Sequence, residues 1–423
     1  MKTKEKRLFS RDFTLVVVGQ IISLFGNAIL RFALPLYLLR QTGSPELLGA
    51  AGAAALIPAV LCSPIGGVTA DRANKRNIMV ALDFSTAALV LLFSLLLGRV
   101  PLAPLTVACL MLLYGIAGAY QPAVQASIPL LAGEGRLTQA NAVINMVSTL
   151  SGLLGPALGG VLFGALGIRP ILWVSAGCFF CSAMMELLIH IPYQPRTHAS
   201  GALTAARKDL EQSWRFVRRE RPVFLSVTAA LALFNLALSA ALIVGVPVAV
   251  VQTLGMSDSR LGFAQGAMGL GGLVGGALAA ALGERLRPRR GSVLLLAASL
   301  TAAGMGAGLL PGIPPQIGYW AVAAMSFVIM ALATMLTVAL SAAVQRQTPP
   351  EMLGKVMAFI LAAANCASPL GQAVYGALLE RRPPWVVLMG AAVAAALIAC
   401  YSRKAFRQLD PAQGQGYPVG KAG

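Results

Sequence analysis

Gly66-Gly67-Val68-Thr69-Ala70-Asp71-Arg72-Ala73-Asn74-Lys75-Arg76 is a charged stretch wedged between two long apolar runs, and its reading decides the fold. Four of its last six residues are charged, three of them cationic. Apolar runs on the flanking scale belong in a bilayer, where backbone that is neither helical nor barrel-paired must lie outside the hydrocarbon. The stretch therefore reads as a short loop at one membrane surface. Lys and Arg gather on short cytoplasmic loops, so that surface is the cytoplasmic one. Asn74 is expected to take the left-handed turn conformation that glycine usually supplies.

Working outward, the whole chain carries the same signature. Its 423 residues are 57% hydrophobic and 11% charged, whereas soluble domains are about 25% charged. A net charge of +18 would suggest nucleic acid in a soluble domain, but here the position of the charges decides. The cysteines at 62, 109, 178, 181, 366 and 400 lie in apolar segments with no loop pair to bridge, so no disulfide framework is expected. Cys178 and Cys181 have the spacing of a metal or redox pair, yet no second pair and no nearby His joins them, and they read as small packing residues. His190 and His198 fall at or beyond a helix end, which leaves a metal site without support.

Lys2, Lys4, Lys6, Arg7 and Arg11 precede an apolar run from Phe13 to Leu39 that is too long for a signal-peptide core and reads as a retained first helix. Further runs of about 20 residues or more, the length that crosses ~30 Å of hydrocarbon, begin near Leu47, Ile78, Leu102, Ala140, Ile168, Val223, Leu261, Val293, Ile317, Met352 and Val386, which gives twelve crossings. Even parity puts both termini on one side. Of the Lys and Arg residues, 26 fall on that side and 6 on the other, with Arg31 left inside helix 1. That asymmetry predicts a multi-pass inner-membrane protein with both termini in the cytoplasm.

The one long polar stretch, Pro192 to Arg221, reads as an amphipathic cytoplasmic connector with Leu203, Leu210, Trp214 and Val217 on one side. The expected organisation is a six-helix bundle over 1–190, the connector over 191–221, a second six-helix bundle over 222–402 and a cytoplasmic tail over 403–423. The halves echo each other: Ala123-Val124-Gln125 then Pro129 matches Ala343-Val344-Gln345 then Pro349 at an offset of 220. Gly135-Arg136 against Gly354-Lys355, and Pro156-x-x-Gly159 against Pro369-x-Gly371, continue the series.

The spacing Gly67-x-x-x-Asp71-Arg72-x-x-Lys75-Arg76 resembles the signature between helices 2 and 3 of the major facilitator superfamily, with Asn74 where that family prefers Gly. In helix 5, Gly152-Leu153-Leu154-Gly155-Pro156-Ala157-Leu158-Gly159-Gly160 spaces glycines by three and four, which makes a packing seam, with Pro156 bending the helix. Gly155, Pro156, Gly159 and Gly160 are also similar to the helix 5 signature of the superfamily's drug and proton antiporters. A narrower resemblance rests on Gly19-Gln20 with Ser23 and Gly26, Ala33-Leu34-Pro35, Thr42-Gly43-Ser44, Gln121-Pro122-Ala123, Ala140-Asn141 and Gly354-Lys355-Val356. Together these look like the branch that includes macrolide-efflux proteins and the enterobactin exporter. The resemblance implies an all-α membrane fold of twelve helices in two bundles related by a parallel pseudo-twofold repeat, with a substrate site near the midplane. It implies efflux above uptake, and Asp71 as a latch on the N-terminus of helix 11. One departure stands out: many relatives carry an Arg in helix 4 four residues before a Gly, where this chain has Tyr114 before Gly118.

In that fold helices 1, 4, 7 and 10 line the cavity, and each carries a polar stripe. On helix 1, Gln20, Asn27 and Arg31 fall within about 40° of arc at 100° per residue. Helix 4 offers Tyr114, Gly118, Gln121 and Gln125; helix 7 Thr228, Asn235 and Ser239; helix 10 Ser326, Met330, Thr337 and Ser341. Polar groups are costly against lipid and turn toward protein or water, so interhelical hydrogen bonding competes with a substrate role for each stripe. Arg31 either snorkels outward or faces the cavity, where it would favour anionic or strongly polar groups over cations. Asp83 and Glu186, both in the cytoplasmic third, are either structural (ion-paired or snorkelling) or the carriers of a coupled proton.

The sequence thus reads as a secondary active transporter, a proton-coupled exporter of an amphipathic small molecule such as a drug, macrolide or siderophore-like compound, working by alternating access. A lipid or lysophospholipid flippase and a metabolite importer are alternatives on the same fold. An intramembrane enzyme would need a dyad or metal cluster at one depth, for which no helical His and no paired carboxylates are on offer. No Gly-x-x-x-x-Gly-Lys-Ser/Thr phosphate loop occurs, and Gly304-Met305-Gly306-Ala307-Gly308 reads as helix packing. No cofactor, no metal and no nucleic-acid partner are expected. Protons and membrane lipids are the expected partners beside the substrate, and the chain is expected to act as a monomer.

Overall fold

A computed structural model describes residues 9–132, 136–191 and 210–409. Among these residues there is no named strand, and twelve helices are long and apolar enough to cross a membrane. They are α1 (Arg11–Thr42), α2 (Pro45–Arg72), α3 (Lys75–Leu96), α4 (Leu102–Ala132), α5 (Leu137–Leu166) and α6 (Ile168–Leu187). The others are α7 (Pro222–Thr253), α8 (Asp258–Leu282), α9 (Gly291–Ala307), α10 (Pro315–Arg346), α11 (Pro350–Arg381) and α12 (Pro384–Gln408). This is a multi-pass, all-α membrane fold.

Each helix begins within about a turn of its apolar run, and capping chemistry extends the first two outward. Ser10 accepts from the Phe13 amide ahead of α1, and Ser44 accepts from Leu47 ahead of α2. Pro222, Pro315, Pro350 and Pro384 occupy first-turn positions, where the missing N–H has no helical partner to lose.

The stretch from Gly66 to Arg76 is not a loop throughout. α2 runs on to Arg72 and α3 starts at Lys75, so only Ala73 and Asn74 lie between helices. A helix satisfies its own backbone, and charged side chains at its end give it no reason to stop. Asn74 departs from expectation too: its φ of −66° is not left-handed, and its side chain accepts from the Arg76 amide as the N-cap of α3. Two long helices hold irregular turns. α11 breaks at Cys366, three residues before Pro369, whose ring nitrogen cannot donate back to Asn365. α7 has π-helical turns over Asn235–Ser239 and over Val248–Thr253, the second directly after Pro247.

The chain divides into two compact units, Met1–Ala199 with Ser257–Gly266, and Ser200–Met256 with Ala267–Gly423. In the first, α2 lies along α4, α3 packs on α6 and α4, and α1 packs on α5 and α6. Gly66 makes the α2–α4 crossing possible, since a Cβ there would meet the Ala119 backbone oxygen at 2.5 Å; Gly118 stands in the same relation to Ala59. The first turns of α8 belong to this unit, seated on Gly160 of α5. The second unit repeats the pairings: α9 on α12 and α10, and α7 on α11. Its α8–α10 crossing again relies on glycine, with Gly275 against Ala331.

The connector lies partly outside the described residues, Leu203 among the part that does. From Leu210 onward it is helical, with a π-helical turn over Phe216–Glu220. The expected single apolar face does not form: Leu210 and Trp214 are exposed, whereas Ser213, Phe216 and Val217 are buried. Spacings of three and four from Ser213 define the inward face, and the π turn then ends it. Trp214 stacks edge-on against Phe359 of α11 and Lys355 Nζ donates to Gln212 Oε1 at 2.8 Å.

Candidate functional site

The inner faces of the first unit line an open cavity of about 560 Å3. α1 supplies Ser23, Asn27 and Arg31 to its wall, α3 supplies Asp83 and Thr86, and α4 supplies Tyr114, Gly118, Tyr120 and Gln121. α5 adds Ser148, Ser151 and Pro156, and Gln265 comes from the first turns of α8. Leu24, Phe32, Leu56, Ile116 and Phe179 give the rest of the wall an apolar character, the mix expected of a ligand cavity with a few convergent polar groups.

At one end the Arg31 guanidinium lies 3.9 Å from the centroid of the Tyr114 ring. Such stacking holds a cation in place through the ring's electron-rich face. It also resolves the departure noted at position 114, because the aromatic ring receives a cation from α1. Arg31 therefore does not snorkel outward. Its Nε is buried and has no hydrogen-bond partner, and neither has Asn27 Oδ1 one turn earlier.

At the other end Asp83 lies on the wall, and the packing of α3 on α6 brings Glu186, behind the wall and connected to it by no sequence spacing, within electrostatic reach. Asp83 is 3% and Glu186 1% exposed. Ser23 Oγ donates to Asp83 Oδ1 at 3.1 Å. Gln20 Nε2 donates to the Tyr120 hydroxyl at 2.5 Å, and that hydroxyl donates to Glu186 Oε1 at 2.6 Å. Among the described residues neither carboxyl has a Lys or Arg partner, and neither reaches the surface, so the ion-paired and snorkelling readings both fail. Glu186 sits in the last turn of α6, which stops at Leu187. Asp83 Oδ2 and Glu186 Oε2 are buried without partners.

The other candidates divide. Gln20, 1% exposed, is not on the cavity wall but fills the hydrogen-bond network behind it. Gln125 is exposed, past the cavity along α4. In the second unit Asn235 Nδ2 donates to the Ala364 carbonyl at 3.1 Å and Thr337 Oγ1 to the Ala333 carbonyl at 2.9 Å, while Ser239 and Met330 are half-buried. Gly155 and Gly159 form the expected seam, against Ala28 and Phe32 of α1. Of the opening motif, Gly67 lies in α2, Arg72 is its exposed last residue, and Lys75 and Arg76 start α3 half-buried; the Asp71 side chain lies outside the description. Tyr120 was missed. Its signal was a tyrosine in mid-helix, whose hydroxyl needs a partner when buried.

This is the class of twelve-helix polytopic carriers built from two repeated bundles. The chain belongs to the Major Facilitator Superfamily, whose family model matches residues 16–248 and 232–419. It is 24% identical over 412 residues to macrolide efflux protein A of Streptococcus pyogenes, covering 94% of this chain and 97% of that one. To the multidrug efflux pump Tap of Mycolicibacterium fortuitum it is 25% identical over 374 residues, covering 86% and 88%. Among solved structures, the nucleoside transporter NupG aligns with a TM-score of 0.73 at 12% identity, covering 94% of this chain and all of that one. A bacterial homolog of the human lysosomal transporter Spinster aligns at 0.71 and 14% identity, covering 96% and 98%. Those structures speak for the fold alone.

Proposed function

We propose that the protein is an exporter that moves an amphipathic small molecule out of the cytoplasm by alternating access, in exchange for protons. It acts as a monomer in the cytoplasmic membrane, with both termini inside. The buried Asp83 and Glu186 carry the reading. An imposed proton gradient can drive a conformational cycle only if some group binds the proton with different affinity in the two states. A carboxyl on the cavity wall that accepts from Ser23, has a second buried carboxyl nearby and meets no fixed cation is such a group. The efflux proteins it resembles over most of its length support outward transport. Arg31, Tyr114, Asn27 and Gln121 bind the substrate, and Asp71 latches the cytoplasmic side.

The test is uptake of a panel of radiolabelled macrolides, dyes and siderophore-like compounds into inverted membrane vesicles, with and without an acid lumen. Uptake of at least one compound above its equilibrium level, only with the gradient, is the expected result. Accumulation in right-side-out vesicles instead would reverse the direction and overturn the efflux reading.

A further inference from the structure

The cavity has two poles. Arg31 and Ser23, the latter bonded to Asp83, are eight residues apart on α1, which at 1.5 Å per residue is about 12 Å along one wall. Arg31 ends one side with its guanidinium carbon 3.9 Å from the Tyr114 ring centroid and a buried Nε lacking a partner. Asp83 ends the other, more than nine-tenths buried, with Oδ2 lacking a partner. Asn27 Oδ1, also unpartnered, lies between them on the same helix. Among the described residues Arg31 and Asp83 form no ion pair, and no other charged group lines the cavity wall. The wall thus carries one group of each sign, at a cost that membrane interiors rarely tolerate without function.

Resting on the reading of this cavity as the substrate site, we propose that it selects dipolar molecules. One end is an ionised amine at Asp83, the other a carboxylate or similar anion at Arg31, with an apolar body about 12 Å long against Leu24, Ile116 and Phe179. A simple cation would satisfy Asp83 but meet Arg31 as a like charge. A simple anion would be held by Arg31 and repelled at Asp83. Only a molecule that carries both meets each wall charge with its opposite, and a guanidinium fork suits a carboxylate better than an ammonium would.

Binding to the full chain in lipid nanodiscs tests this by calorimetry with four probes of one length: 10-aminodecanoic acid, decylamine, decanoic acid and neutral decanol. The aminoacid is expected to bind at least tenfold tighter than any of the others. Arg31→Ala should bring it down to the affinity of decylamine, and Asp83→Asn to that of decanoic acid. Arg31→Lys should recover part of the preference. The ranking of probes on the unmodified protein needs no variant, so a variant that fails to fold leaves the test intact. Saturable binding of all four within threefold of one another would overturn the dipolar proposal and leave the cavity reading standing. No saturable binding of any probe would overturn both.

Discussion

Replacing Tyr120 by Phe removes one oxygen and keeps the ring in the core formed with Val124, Ile128 and Val16. The hydroxyl bridges Gln20 and Glu186, so the change breaks two hydrogen bonds that link α1, α4 and α6. Interhelical hydrogen bonds in membrane proteins average about 0.6 kcal/mol and reach about 1.7. Here the upper part of that range applies, because Gln20 and Glu186 are both 1% exposed and each already has one oxygen without a partner. Leaving a buried polar group unpaired costs about 1–3 kcal/mol, so the substitution should destabilise the first unit by roughly 2–3 kcal/mol. Reversible unfolding in a mixed-detergent titration, followed by circular dichroism, reads this directly. A cycle with Glu186→Gln should give a coupling of about 1 kcal/mol between the two positions. A loss below about 0.5 kcal/mol, or strict additivity, would refute the bridge.

Gly66→Val should abolish folded expression, because its side chain would enter the Ala119 backbone, whereas Gly67→Ala should be silent, with nothing within 4 Å of the new methyl; fluorescence-detected size exclusion separates the two. Asp71→Asn should slow turnover several-fold at equal expression while substrate affinity is kept, since an anion at a helix N-terminus gains about 0.3–1 kcal/mol that the amide loses. Parental turnover in that variant would sink the latch. On a background freed of its six cysteines, Ser200→Cys should react with an impermeant maleimide only after cells are opened; labelling of intact cells would invert the topology.

The spans were legible because the length and spacing of apolar runs are dictated by the bilayer, whatever the helices pack against. Periodicity likewise put Asn27, Arg31, Tyr114 and Gln121 on inward faces, and all four line the cavity. What periodicity cannot supply is the choice of partner across distant segments. Gln20 meets Tyr120 and Ser23 meets Asp83 across separations of 100 and 60 residues, so Gln20 was assigned to the cavity and Tyr120 overlooked. The same gap hid the proximity of Asp83 and Glu186, which lie on different helices. Local irregularities were hidden for another reason. The end of α2 at Arg72 falls within a charged stretch and the break at Cys366 follows from Pro369 three residues on, and hydropathy is blind to both.

Proton-driven accumulation in inverted vesicles with an acid lumen, compared between the unmodified protein and Asp83→Asn/Glu186→Gln, bears most directly on the coupling. The unmodified protein should concentrate its substrate in the lumen and lose that concentration when the gradient is collapsed. The double variant, its substrate affinity lowered by the loss of Asp83, should keep downhill counterflow when the substrate concentration is raised in proportion, proving that it folds and cycles, and concentrate nothing. Undiminished gradient-driven accumulation by the double variant would contradict the assignment of proton coupling to this buried pair.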